Sequence, residues 1–130
     1  MRDSFGLGQT GGSWEQQQWF NAQPYEVNTT TPIQWDVGQK QVRFITLSQN
    51  SALAFPTSAK QGATYILVIK QDGTGSRTLS YTAQAANLGS GTWKWPAGTT
   101  PTLTTTAGKT DVLTFIFDGT HMLGVSSLNF

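Results

Sequence analysis

Few residues in this chain could do chemistry. Its single histidine, His121, follows an Asp-Gly turn at Asp118-Gly119, and another Asp-Gly pair stands at Asp72-Gly73. A serine-type triad needs a base oriented by an acid. Asp118 sits just before His121 across a tight turn and is expected to point elsewhere, so His121 reads as a rim or core residue of a hairpin. Two carboxylates at a defined separation would suit glycoside hydrolysis, and several converging oxygens would suit calcium. Both aspartates instead occupy the position that Asp-Gly turns prefer, where the carboxylate bonds its own backbone. One histidine and no cysteine exclude a histidine or thiolate zinc site, a cysteine nucleophile and a disulfide. Composition alone does not exclude oxygen-ligated metals. The expectation is no catalytic set, no metal and no cofactor, hence a protein that is not an enzyme.

The aromatic residues allow a different chemistry. Trp93 and Trp95 are alternate residues, so on a strand they share one face. Such a pair can stack on a sugar, or it can pack against Ile and Val of a facing sheet. The packing reading is the expectation, and Trp35 is assigned to the core. Lys70, Arg43 and Arg77 are too few for a basic patch and are expected to be solvated. Formal net charge is +1, with 12% charged residues. This leaves no electrostatic footprint for nucleic acid or an anionic membrane. Globular domains usually carry about 25% charged residues, and a surface of Thr, Gln, Ser, Gly and Asn suits a particle component or an extracellular module. No apolar run approaches the ~18 residues of a membrane span. Residues 1 to 6 lack an apolar signal region, so assembly without Sec export is expected.

Strands must position these side chains. The 130 residues suit one domain with one core. The runs Thr64 to Lys70 and Asp111 to Phe117 are rich in β-branched and aromatic residues, and each ends at an Asp-Gly turn, the strongest short-range hairpin signal. They predict one hairpin continuing into Arg77 to Tyr81 and another continuing through His121 to Ser127, with Gly73 and Gly119 at positive φ. Further strands are expected over Tyr25 to Asn28, Thr31 to Asp36, Gln41 to Ser48, Ala52 to Phe55 and Thr92 to Trp95, with weak pairing at Thr102 to Thr104. Ala83 to Gly91 reads as a loop. About eight strands and no helix of note predict an all-β fold, a two-sheet antiparallel β-sandwich, jelly-roll-like, over residues 25–130.

Residues 1–24 differ. Their glycines break any regular period, yet they hold Phe5, Leu7, Trp14, Trp19 and Phe20. A disordered tail is normally poor in aromatics. They read as an extended N-terminal arm that folds back on its own sandwich or docks on a neighbouring subunit or assembly. Spaced aromatic anchors favour docking, which makes those five residues the expected interface with a subunit or larger assembly.

A resemblance covers about half the chain. It is carried by Thr64-Tyr65-x-Leu67-x-Ile69-Lys70-Gln71-Asp72-Gly73-Thr74-Gly75-x-Arg77-Thr78-Leu79, by Lys94-Trp95-Pro96-x-Gly98-Thr99-x-Pro101-Thr102-Leu103, and by Asp111-Val112-Leu113-Thr114-Phe115 with Asp118-Gly119-Thr120. These segments resemble a β-sandwich module of tailed-bacteriophage structural proteins, found on small capsid decoration (cement) proteins and in tail fibres. Where an aromatic would follow Thr120, this chain has His121-Met122. The resemblance implies a virion component assembled in the host cytoplasm. Its length and short arm point to a decoration subunit on the capsid surface, a homotrimer that clamps the major capsid protein without chemistry. The alternative is a tail-fibre or baseplate module that recognises a host surface glycan.

Overall fold

The computed structural model describes residues 24–82 and 91–130. Phe5, Leu7, Trp14, Trp19 and Phe20, and residues 83–90 of the expected loop, lie outside them. Among the described residues, eight strands follow in order: β1 (Glu26–Val27), β2 (Val42–Leu47), β3 (Ser51–Leu53), β4 (Thr64–Gln71), β5 (Leu79–Tyr81), β6 (Thr92–Lys94), β7 (Thr110–Phe117) and β8 (His121–Ser127). Six form one sheet in the order β1-β2-β4-β7-β8-β6, and β3 and β5 form a second. The fold is all-β with two sheets, as the strand pattern predicts. The pairing is mixed rather than antiparallel: β4 with β7 and β7 with β8 are antiparallel, while the other four pairs are parallel.

The β7–β8 hairpin forms as its turn chemistry predicts. Its register runs from Val112 opposite Ser127 to Phe117 opposite Met122, and Gly119 supplies a φ of 102°. The hairpin expected at Asp72-Gly73 does not form. β4 pairs with β2 and β7, and β5 crosses to pair with β3. Side chains explain the diversion. Gln71 is buried, and its amide replaces a ladder for the departing chain. Nε2 donates to the carbonyls of Arg77 (2.8 Å) and Thr104 (2.9 Å), and Oε1 accepts from the Arg77 N–H (3.0 Å). Asp72 Oδ1 accepts from the N–H groups of Thr74 and Gly75 at 3.0 and 2.9 Å. Gly75, not Gly73, takes the positive φ, 73°. A Cβ there would lie 2.7 Å from the Thr105 carbonyl oxygen, so this turn is pressed against the segment opposite and leads into the other layer.

The core lies between the layers. Alternation sends Tyr65, Leu67 and Ile69 of β4, Leu113 and Phe115 of β7, Ile45 and Leu47 of β2 and Met122 of β8 inward. Ile33, Trp35, Val37, Leu53 and Phe55 face them. The strand expected over Thr31 to Asp36 alternates as predicted, but only isolated bridges hold it, Ile33 to Leu53 and Asp36 to Thr57. No strand forms over Thr102 to Thr104. Instead the buried Asp111 carboxylate accepts the Thr104 N–H at 2.7 Å and the Asn129 N–H at 2.8 Å. That carboxylate ties the 100–105 segment and the C-terminus to β7, and so sets one wall of the site described next.

Candidate functional site

β6 sits at the edge of the large sheet, parallel to β8, with Trp93 opposite Met122. The indoles of Trp93 in β6 and of Trp95 just after it both turn toward the second layer. Their planes lie within 7° of parallel, with centroids 6.5 Å apart. Phe115 meets Trp93 edge-on at 5.4 Å and Trp95 at 5.7 Å, and the Tyr81 ring touches both at 5.4 and 4.9 Å. Their partners are thus aromatic, not the Ile and Val expected of a facing sheet. Trp93 Nε1 donates to the Thr82 carbonyl at 2.9 Å. Trp95 rests on bare backbone: a Cβ on Gly124 would lie 2.4 Å from its ring.

Neither indole is fully buried. They form the floor of an open groove of about 630 Å³, walled by the Arg77 to Tyr81 strip and by the Thr100 to Thr105 segment. That volume is typical of small-molecule sites. Hydroxyls rim it, from Thr78, Ser80, Thr92, Thr100, Thr102 and Thr105. Among the described residues, Arg77 is the only charged one lining it, and it is neutralised. Its guanidinium grips the Asp72 carboxylate, with Nη2 at 3.0 Å and Nε at 3.3 Å. That hydrogen bond, then the Gly75 N–H, holds the Asp72 carboxyl below its ordinary value. The Tyr81 hydroxyl is buried, with no hydrogen-bond partner among the described residues. Burial first, and the Asp111 charge second, raise its pKa and keep it protonated. The groove is therefore aromatic at its floor, hydroxyl-rich at its rim and electrically neutral.

Arg43 and Lys70 are also partnered rather than simply solvated. Arg43 lies 3.5 Å from Glu26 and donates to the Gln34 carbonyl. The Lys70 ammonium sits 4.2 Å from the centre of the Tyr25 ring, a cation–π geometry.

At the tip of the last hairpin, Asp118 does not point away from His121. Its Oδ2 lies 2.9 Å from His121 Nδ1, and its Oδ1 accepts the N–H groups of Thr120 (2.9 Å) and His121 (2.5 Å). Both acids thus hold turn roles, as the Asp-Gly pattern implies. Among the described residues, no group of three or more His, Cys, Asp or Glu side chains could hold a metal ion. The His121 N–H, then the His121 ring, pulls the Asp118 carboxyl from 3.8 to about 2. A folded value below the unfolded one means the turn's stabilisation is complete above pH 3.8 and is lost as pH falls through about 2. An NMR titration of the Thr120 and His121 amides should give a midpoint near 2; a midpoint at 3.8 would show the carboxyl to be free.

Sequence reasoning missed Tyr81, the Thr100 to Thr105 wall, Gly124 and the Arg77 clamp on Asp72. Only the clamp left a local signal, an acid and a base on either side of one turn. The other three depend on segments far apart in the chain. Phe5, Leu7, Trp14, Trp19 and Phe20 lie outside the described residues, so none of them is placed at this groove. Residues 29–122 match a family model described as "Putative phage tail fibre C-terminal domain". No curated protein and no solved structure matches the chain.

Proposed function

Since the chain belongs to this phage tail-fibre C-terminal family and is a virion structural protein, we propose that it is a receptor-binding fibre module, recognising a host surface glycan in the Trp93–Trp95 groove. One observation carries the reading: two nearly parallel indoles, held by Phe115 and Tyr81, form the floor of a neutral groove rimmed by hydroxyls. The apolar C–H face of a pyranose stacks on an indole, while its hydroxyls exchange hydrogen bonds with side chains at the rim. Neutrality favours uncharged sugars, since an acidic sugar would meet an Arg77 already paired with Asp72. The action is adhesion without bond cleavage. It needs no cofactor, metal, nucleic acid or membrane contact.

The capsid-decoration reading would place a homotrimer on the major capsid protein. The matched family is described by a fibre, and the groove suits a small ligand better than a flat shell. Two measurements test the choice. Isothermal titration with neutral oligosaccharides released from the host surface should show binding. Trp93→Ala and Trp95→Ala should each weaken it roughly tenfold or more, about 1.4 kcal/mol on the affinity scale. Unchanged affinity in both variants overturns the groove assignment. Gel densitometry of purified particles should show far fewer copies than the major capsid protein; comparable numbers would favour decoration.

A further inference from the structure

The large sheet has a second face, turned away from the core. Alternation places Phe44 of β2, Ile66 and Val68 of β4 and Val112 of β7 there, only partly covered. Toward β8 the face opens further: Ile116 is 49% exposed, Leu123 40% and Val125 52%. Cross-strand pairing sets Phe44 opposite Val68, Val68 opposite Val112 and Ile116 opposite Leu123, with Thr114 between Ile66 and Val125. A shallow depression of about 370 Å³ lies at its far end, between Trp95 and Pro96 on one side and Ile116, Leu123 and Val125 on the other. An exposed apolar face of this kind marks a contact surface.

We propose that this face is the seat of the chain's own N-terminal segment, with Trp14 and Trp19 as anchors. Three observations choose this occupant. First, the segment enters the described fold on this side. Tyr25, just before the edge strand β1, leans edge-on against Phe44 at 5.3 Å and lies under the Lys70 ammonium, so the chain already runs over the outer face there. Second, the reach is right. β8 lies four strand spacings from β1, about 19 Å. The ten residues from Trp14 to Pro24 span up to about 33 Å when extended, enough to bring an indole to the depression, while the five from Trp19 span about 17 Å, enough for Val112. Third, the chemistry is complementary. Residues 1–23 hold Phe5, Leu7, Trp14, Trp19 and Phe20 but only three charged side chains, Arg2, Asp3 and Glu15. This inference concerns the outer face of the sheet, and only Trp95 borders both the depression there and the groove.

The test uses the full chain, which has no native cysteine. Val125→Cys places one thiol on the face, and Thr106→Cys places a control thiol in an exposed loop. Maleimide labelling at Val125→Cys should be roughly tenfold slower in the otherwise intact chain than with Trp14→Ala and Trp19→Ala added, as for a locally protected site. The control rate should not change, and protection should not depend on protein concentration. Equal rates in the two backgrounds overturn the proposal, because the face is then free. So does protection that survives the tryptophan substitutions, or that rises with concentration, because a second copy is then the cover. If both thiols label faster in the double-alanine background, the Trp14→Phe and Trp19→Phe pair replaces it. Slow labelling restored at Val125→Cys supports the seat, and fast labelling there overturns it.

Discussion

Phe115→Ala should remove about 3–5 kcal/mol of stability, the range for truncating a fully buried phenylalanine. Phe115 has no exposed surface. It stands in the middle of β7, the strand that β4 and β8 flank on both sides. Its ring meets Trp35 at 6.1 Å, Trp93 at 5.4 Å and Trp95 at 5.7 Å. Truncation opens a cavity where the two layers meet, and the strands around it are too firmly paired to collapse inward. The same cavity removes the edge contacts that hold both indoles in the groove, so glycan affinity should fall with stability. Urea unfolding followed by tryptophan fluorescence gives the first quantity and titration calorimetry the second. A loss below about 1 kcal/mol would contradict the packing of this core. Phe115→Leu, which keeps most of the volume, should cost less in both assays.

Gly124→Ala should have the second-largest effect, although it adds only a methyl group. The new Cβ would sit 2.4 Å from the Trp95 ring and 2.8 Å from the Phe115 ring. Neither neighbour is the free end of a flexible side chain. The backbone cannot retreat either, because β8 is paired with β7 on one side and β6 on the other. Trp95 must therefore move off the strand. Overpacking of this kind costs typically 1–3 kcal/mol, and the indoles would no longer lie parallel. Denaturation should report the stability loss, and near-ultraviolet circular dichroism should report the disturbed tryptophan pair. A variant with unchanged spectrum and stability would mean that Trp95 does not rest on this glycine. Gly124, unlike Gly62 with its φ of 86°, does not have a left-handed backbone, so its sensitivity comes from the indole above it.

Local features can be read from neighbouring residues alone. Alternating apolar residues around Asp118-Gly119 specify β7, β8 and their hairpin, because side-chain period and turn type are properties of adjacent residues. The same alternation placed Trp35 and Phe115 inside, and the turn preference of aspartate gave Asp72 and Asp118 their roles. Tertiary structure decided the rest. The Asp72-Gly73 turn looks like its counterpart at Asp118-Gly119, but it does not close a hairpin, since the Gln71 side chain and the close approach of Gly75 to Thr105 carry β5 into the other layer. Parallel pairs such as β2 with β4 and β6 with β8 join strands with no tight turn between them, so no local residue pattern announces them. The groove has the same origin. Trp93 and Trp95 are visible in the sequence as two indoles on one face of a strand. Whether they vanish into a core or line a binding surface depends on Tyr81, Phe115, Gly124 and the Thr100 to Thr105 wall, which only the folded chain brings together.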